Sequence, residues 1–400
     1  MKKILLCTGI QYANIGDVGH VTGILTLLRQ HLPDLKVTLC TTIDVESYHD
    51  LLRRNWPELR IVHTERPKPG AGVQSLPRDV RDAAQNADFI ISGHSMGRIT
   101  RCLTDAYQRP YGFVGVAVDK PPSGQDLEHV DNASFFFPRD TASLANLKRA
   151  GARCPVMRFA PDATFGADGV NAEAAAAFLK DIGLAGKPFL CVVPRLRVTP
   201  YYRIEPRLRA NPEPWPDQRI REVEALNKAH QEEDHAKVRT VMTNWVRSTG
   251  NPVLCCPEMI HNIDLFDELL LDALPPDVRP QVYKRESFWL PDEAAAVYQR
   301  AFAVLSLECH SPILAAVQGT PACYLRQPED GIKGQMWHDL GLSDWVFEIE
   351  QSTGSQLSER LLAIYADPTA AQEGLRRARQ RIRVLQAEQM RLIGDMVTDQ

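Results

Sequence analysis

The chain has 400 residues, 44% of them hydrophobic and 24% charged, with a formal net charge of −4. That length is too great for one ordinary core and predicts two domains of similar size, and the composition is that of a globular rather than a disordered chain. The mild acidity argues against sequence-independent nucleic-acid binding, which needs a clustered positive face, and no apolar run approaches the roughly 20 residues that cross a bilayer.

The opening "MKKILLCTGI" imitates a secretory signal, but its apolar stretch is short and leads to Asn14, Gly16 and Asp17 without a small-residue cleavage site. It reads as a first buried strand, in a chain expected in the cytoplasm. Short apolar runs then alternate with turns and amphipathic segments. Strands are predicted in "KILLCTG", "KVTLCT", "ADFIISG", "YGFVGVAVD", "SFFFPRD" and "CPVMRFA". A second series comprises "KPFLCVVPR", "NPVLCCPE", "RPQVYK", "AFAVLSLE", "TPACYLR" and "DWVFEIE". Helical patterns cover 18–31, 141–150, 171–182, 218–248, 291–301 and 354–365. Several strands are apolar throughout, as expected when both faces are covered, and the alternation predicts parallel sheets built from right-handed crossovers. The fold class is therefore α/β, with two Rossmann-like domains facing a cleft. The Gly/Pro turn in "DIGLAGKP" (181–188) sets the expected boundary, giving domains at 1–183 and 184–368. The remainder, 369–400, reads as a long helix crossing back over the first domain. Nine scattered cysteines without a CxxC pair fit a reducing compartment and disfavour structural zinc.

In such folds ligands bind outside the carboxyl ends of the strands, so strand-end loops carry the candidates. "ISGHSMGR" ends a strand with small residues, His94 and Arg98; its backbone amides and Arg98 would suit a phosphate, and a packed turn is the bland alternative. Asp17 is either a helix N-cap or a substrate contact, and Asp140 reads as a cap beside a cleft-facing Arg139. The arginine- and proline-rich stretch 194–219 is long for a connector and suits a lid. Arg195 and Arg197 lie nearest the strand end there and are expected to face the cleft. His261 and Asp264 follow another buried strand at its carboxyl end and are expected to line the acceptor or donor pocket; without an evident third ligand a metal is not expected there. Lys333 is an expected anion contact, while Trp337 either stacks on a sugar or closes the last helix. In "LSLECHSPILAAVQGTPACYL" (305–325), Glu308, Cys309 and His310 stand where a buried strand turns into a helix. His310 suits acid/base work, the helix start attracts anions, and a capping turn is the alternative. Glu308 is either a functional carboxylate or an ion-pair partner of Arg195, Arg197 or Lys333, and Cys309 has no identifiable thiolate partner. His20, His31, His49, His63, His129, His230 and His235 read as surface residues without convergent partners.

Taken in order, "GIQYANIGD", "PRDTASLANLKRAG", "APDATF", "LECHSPILAAVQGTPACYL" and "KGQMWHDLGL" resemble the motifs of the polysaccharide pyruvyl transferase family across roughly residues 5–345. The resemblance implies a glycosyltransferase-B-like fold, with the first domain on the acceptor side and the second on the donor side. It also implies transfer of an enolpyruvyl unit from phosphoenolpyruvate to a sugar or glycan precursor, without cofactor or metal. His310 takes the place of the family's catalytic histidine, Arg195 resembles the arginine ending the second domain's first strand, and Asn14, Asp17 and His94 fall in first-domain cleft loops. The family's R-x-H arginine is Glu308 here, which favours, as alternatives, a nucleotide-sugar glycosyltransferase of the same fold or a non-catalytic carbohydrate-binding protein. The expected partners are an anionic donor and a sugar or glycan acceptor; a lipid-linked acceptor would call for peripheral membrane contact.

Overall fold

The computed structural model describes residues 1–398 and divides the chain into two compact units. Unit 1 comprises Met1–Tyr12, Asp17–Ala167 and Arg381–Gln400; unit 2 comprises Ala13–Gly16 and Asp168–Gln380.

Unit 1 carries strands β1 (Lys3–Cys7), β2 (Lys36–Thr41), β3 (Arg60–His63), β4 (Phe89–Gly93), β5 (Tyr111–Val116), β6 (Phe135–Pro138) and β7 (Val156–Met157). Its helices are α1 (Ile15–His31, whose first two residues fold with unit 2), α2 (Glu46–Asn55), α3 (Arg78–Asn86), α4 (Arg98–Tyr107), α5 (Gly124–Asp131) and α6 (Thr141–Arg149). All seven strands are parallel, in the order β3-β2-β1-β4-β5-β6-β7. β4 and β5 are buried along their whole length, because helices cover both faces of a parallel sheet.

Unit 2 contains β8 (Leu190–Val193), β9 (Val253–Cys255), β10 (Val282–Lys284), β11 (Ala303–Ser306), β12 (Ala322–Arg326) and β13 (Val346–Glu348), in the order β10-β9-β8-β11-β12-β13 and again all parallel. Its helices are α7 (Ala172–Asp181), α8 (Asp217–Thr249), α9 (Pro291–Tyr298), α10 (His310–Gln318), α11 (Gln335–Asp339) and α12 (Gly354–Ala366). Trp245 of α8 is buried between Phe302 and Tyr365, with its ring N–H donating to the Pro252 carbonyl at 3.2 Å. The long α13 (Thr369–Thr398) starts in unit 2, and from Arg381 it belongs to unit 1, where Arg158 pairs with Glu388.

Both sheets have the same topology. The first strand of each unit lies between its second and fourth, so strand order reverses between β1 and β4 and between β8 and β11. At such a reversal the adjoining loops part to opposite faces and leave a crevice at the carboxyl ends.

The units meet at 167/168, earlier in the chain than the expected 183/184. Helix α7 buries Ala175 and Leu179 and packs on α9, and the Asn171 N–H donates to the Asp292 carbonyl at 2.9 Å. The Gly/Pro turn after it is therefore internal to unit 2. The stretch 194–219 holds two short 3-10 turns, Tyr201–Arg203 and Pro206–Leu208, before α8 begins.

Helix α1 packs so closely on the turn 163–166 that a Cβ at Gly23 would lie 1.9 Å from the Ala163 carbonyl oxygen. Gly23→Ala is expected to cost ~1–3 kcal/mol through overpacking and to lower the thermal midpoint by roughly 2–10 °C. An unchanged midpoint in calorimetry would contradict this packing.

Candidate functional site

In unit 2 the crevice between β8 and β11 is spanned by a charge pair. Arg195 lies two residues past β8 and Glu308 two past β11, with the Arg195 Nε 3.3 Å from the Glu308 Oε2. The same guanidinium bonds Asp330, which follows β12, and Lys333 Nζ approaches Asp330 at 3.8 Å. Arg195, Glu308 and Asp330 are all buried. The strand end is held by Ser306, whose hydroxyl donates to the Glu308 carbonyl at 2.7 Å and accepts from the Glu308 N–H at 3.0 Å. Two carboxylates thus share one guanidinium, and the Glu308 Oε1 has no hydrogen-bond partner among the described residues. Burial raises the Glu308 pKa, Arg195 opposes it and Glu258 adds to it, leaving the group at about 7. Burial alone would lower Arg195, but Asp330 and Glu308 push it well above its ordinary value, so it stays charged. Removing either partner of such a buried pair leaves an uncompensated charge.

Beside this pair, helix α10 begins on the carboxylate of Glu258, a residue of the loop after β9. Its oxygens accept from the His310 N–H at 3.1 and 3.2 Å and from the Ser311 N–H at 2.5 Å, and one lies 3.1 Å from the His310 Nδ1. A helix N-terminus is a ready anion site, and here the chain's own carboxylate fills it. The Cys309 Sγ lies 3.4 Å from the same ring nitrogen, so the thiol does have an imidazole beside it. Burial opposes protonation of His310, yet Cys309 and Glu258 outweigh it and raise its pKa well above the ordinary value. Backbone also closes on the ring: a Cβ at Gly16 would sit 2.2 Å from the imidazole, so this position requires glycine. Asn14 fastens that segment, accepting from the Gly16 N–H at 2.6 Å and lying 2.8 Å from the Met259 Sδ. Asn14 is therefore a clamp on the loop that holds Gly16 against His310.

His261 is buried, and neither ring nitrogen has a hydrogen-bond partner among the described residues. Burial, then Arg195 and Arg203, push its pKa down to about 3, so it is neutral. Arg197 is engaged elsewhere. Its Nε bonds Asp234 of α8 at 2.5 Å, its Nη2 reaches the other Asp234 oxygen at 2.9 Å, and Glu350 lies at 3.2 Å. That geometry ties the strand end to α8. Trp337 is fully buried, which gives it the closing role and not the stacking one.

Unit 1 shows the same device at its own crevice. Asp17 follows β1 and His94 follows β4, with the His94 Nε2 3.0 Å from the Asp17 Oδ1, and Gln11 also bonds Asp17. His94 adopts φ +70°, in the left-handed region that is uncommon for a non-glycine residue. Its Nδ1 has no partner among the described residues, and burial pushes its pKa down to about 3 against the pull of Asp17. His20 lies edge-on to His94 at 4.4 Å and pairs with Asp162 at 3.0 Å, which in turn pairs with Arg139 at 3.1 Å. Asp140 is the cap of α6, accepting from the Ser143 N–H at 2.6 Å. Arg98 opens α4 and donates to the Pro67 carbonyl at 2.9 Å, lining a separate cavity of about 870 Å³ with Arg66, Lys68 and Arg101.

The histidines expected at the surface divide. His20, His129 and His235 are buried, bonded to Asp162, Tyr111 and the Gln231 carbonyl respectively, because each faces the core side of its helix. His49 and His63 converge with Asp44. Sequence reasoning missed Glu258 altogether; the one signal for it is a carboxylate three residues past an apolar strand in "VLCCPE".

No family model and no curated protein matches the chain. Solved structures do. Anabaena Alr3699/HepE in complex with UDP and glucose aligns over 100% of both chains with a TM-score of 0.59 and 12% identity. The architecture is glycosyltransferase-B-like. The putative UDP-N-acetylglucosamine 2-epimerase from Listeria monocytogenes covers 95% of this chain and 91% of its own at a TM-score of 0.57 and 12% identity. A glycosyltransferase from Rickettsia africae covers 100% and 99% at a TM-score of 0.60 and 7% identity. At these identities the likeness is one of fold, and this chain shares it as two parallel α/β units of seven and six strands.

Glu258→Gln is expected to weaken the start of α10 by ~1–2 kcal/mol and to lower the His310 titration midpoint. The folded pKa of His310 lies above the unfolded value of about 6.5, so its contribution to stability is full below that pH and is lost as pH rises through the folded value. The variant should narrow that window in NMR titration and pH-dependent unfolding. An unaltered His310 midpoint would show that Glu258 is not its electrostatic partner.

Proposed function

We propose that the chain is a glycosyltransferase that moves a sugar from a nucleotide-sugar donor to a hydroxyl acceptor, with unit 2 on the donor side and unit 1 on the acceptor side. The observation that carries the reading is Glu308: a buried carboxyl at the strand crossover, one oxygen on Arg195 and the other unpartnered, with burial pushing its pKa up to about 7. General acid–base chemistry is most efficient when the group's pKa lies near the working pH. At about 7, Glu308 fits the base that takes the acceptor's proton. His94, at about 3, is too weak a base for that role and suits a hydrogen-bond acceptor that orients the hydroxyl, with Asp17 fixing its tautomer. His310, held protonated beside Glu258, supplies positive charge against the negative charge that develops on the leaving phosphate. Lys333, about one-third exposed, is an accessible cation for the same phosphates.

The likeness to structures solved with UDP and with UDP-glucose supports the donor class. The charge arrangement supports it too. A small donor such as phosphoenolpyruvate depends on a free guanidinium, yet Arg195 already serves two carboxylates and the α10 amides serve Glu258. A nucleotide sugar adds nucleoside and sugar contacts and depends less on one cation. Pyruvyl transfer to a sugar is the second reading, favoured by the ordered motifs and by a protonated His310 able to deliver a proton to a methylene carbon.

Thermal-shift and calorimetric titrations with UDP, UDP-glucose, UDP-N-acetylglucosamine and phosphoenolpyruvate separate the two. Stabilisation by the uridine ligands and none by phosphoenolpyruvate is expected; the reverse would overturn the assignment in favour of pyruvyl transfer. Glu308→Gln should keep donor binding and lose ~10²–10⁴-fold in turnover. In the wild-type enzyme the rate should rise with pH and level off above about 7, as Glu308 ionises. Full turnover in the variant would remove Glu308 from the chemistry.

A further inference from the structure

We propose that Asp44, His49 and His63 of unit 1 form a binding site for one divalent transition-metal ion of the zinc class, with a coordination position left open. The three residues come from separate pieces of backbone that the sheet brings together. His63 is the last residue of β3 and pairs in register with Thr41, the last residue of β2. Asp44 stands three residues beyond Thr41, and His49 lies on α2, which follows at once. Their ligand atoms all lie within 4.8 Å of one another. The His49 Nε2 is 3.0 Å from the Asp44 Oδ1, and the two imidazoles meet edge-to-face with centroids 4.8 Å apart.

An ordinary His–Asp pair would account for Asp44 and His49 but not for His63. The His63 Nδ1 is buried and has no hydrogen-bond partner among the described residues, although a second imidazole stands beside it. The backbone of Ile43 also steadies the ring, and an oriented ring with an unpartnered buried nitrogen suits a metal ligand.

The donor set decides the class of ion. Two imidazoles and one carboxylate are borderline ligands, suited to Zn²⁺, Co²⁺ or Ni²⁺ and unsuited to Mg²⁺, which prefers oxygen. Ligand bonds of about 2.0–2.1 Å in tetrahedral geometry place donors about 3.3 Å apart. The Asp44–His49 pair is already near that spacing, and the His63 ligand atom lies within 4.8 Å of both. Asp44 is largely exposed, so an ion has a path in, and three protein ligands leave the fourth position to water or another oxygen. The site rests on unit 1 alone and is independent of the glycosyl-transfer reading.

Calorimetric titration of the full chain with ZnCl₂, with MgCl₂ as control, tests the site, together with the visible spectrum of the Co²⁺-loaded protein. One zinc per chain, no magnesium heat and intense tetrahedral cobalt bands are expected. His49→Ala and His63→Ala should each weaken zinc binding by more than ~10–100-fold, the range that even outer-shell partners command. His338→Ala should bind as the wild type does. Equal metal-free melting temperatures for the variants and the wild type show that the loss is of ligands and not of fold. Absence of saturable zinc binding to the wild type, or zinc binding that survives the loss of both histidines, would overturn the proposal.

Discussion

The site in unit 2 depends on charge balance in a buried place. Arg195 is out of water, and a lone guanidinium there would be prohibitively costly. Two carboxylates answer it, Glu308 and Asp330, with Lys333 at the margin. One cation cannot fully stabilise two buried anions. Asp330 takes the larger share: burial raises its pKa, but Arg195, Lys333 and its hydrogen bonds outweigh that and keep it low. Glu308 takes the remainder and is driven up to about 7. The unequal division turns an ion pair into a titrating group. Folding pays for this arrangement in stability, since a buried carboxyl whose pKa is raised loses stability as pH climbs from its unfolded value of about 4.3 to its folded one.

The same logic repeats in both sheets. In each unit the first and fourth strands are neighbours, and in each one ionisable pair forms beyond them, Arg195–Glu308 from two strand-end loops in unit 2 and Asp17, in the first turn of α1, with His94 in unit 1. Topology thus brings together residues more than seventy positions apart in one case and more than a hundred in the other. Helix α10 adds a second constraint. Its N-terminus carries partial positive charge that phosphates commonly use, and Glu258 occupies it from within. Together with Cys309, that carboxylate raises the His310 pKa well above its ordinary value, so the helix start is given over to setting the state of a side chain.

Much of the fold was legible because apolar strands and amphipathic helices leave local signals. Helices at 141–149, 217–249 and 354–366 fall within a residue or two of their expected spans. Strand-end arginines, Glu308 and His310 could be singled out because a charged group directly after an apolar run is costly unless it is used. Partnership was not legible. Nothing local says that Arg195 is shared with Asp330, that Arg197 belongs to Asp234, or that Glu258 caps a helix fifty residues later; sheet order decides these contacts. Histidines were misread for the same reason. His20 lies on a helix whose pattern is apolar on nearly every side, and only the fold brings Asp162 to it. The turn at 181–188 looked like a boundary because Gly and Pro mark any sharp connection, whether within a domain or between two.

The central claim is that Glu308, shared on Arg195 with Asp330, titrates near neutrality. The most direct measurement is a ¹³C NMR pH titration of protein labelled at the glutamate carboxyl carbons, with the Glu308 resonance assigned by its loss in Glu308→Gln. A midpoint at about 7 is predicted. A midpoint near the ordinary glutamate value of about 4.3 would mean that Arg195 fully compensates the charge, and would contradict the account.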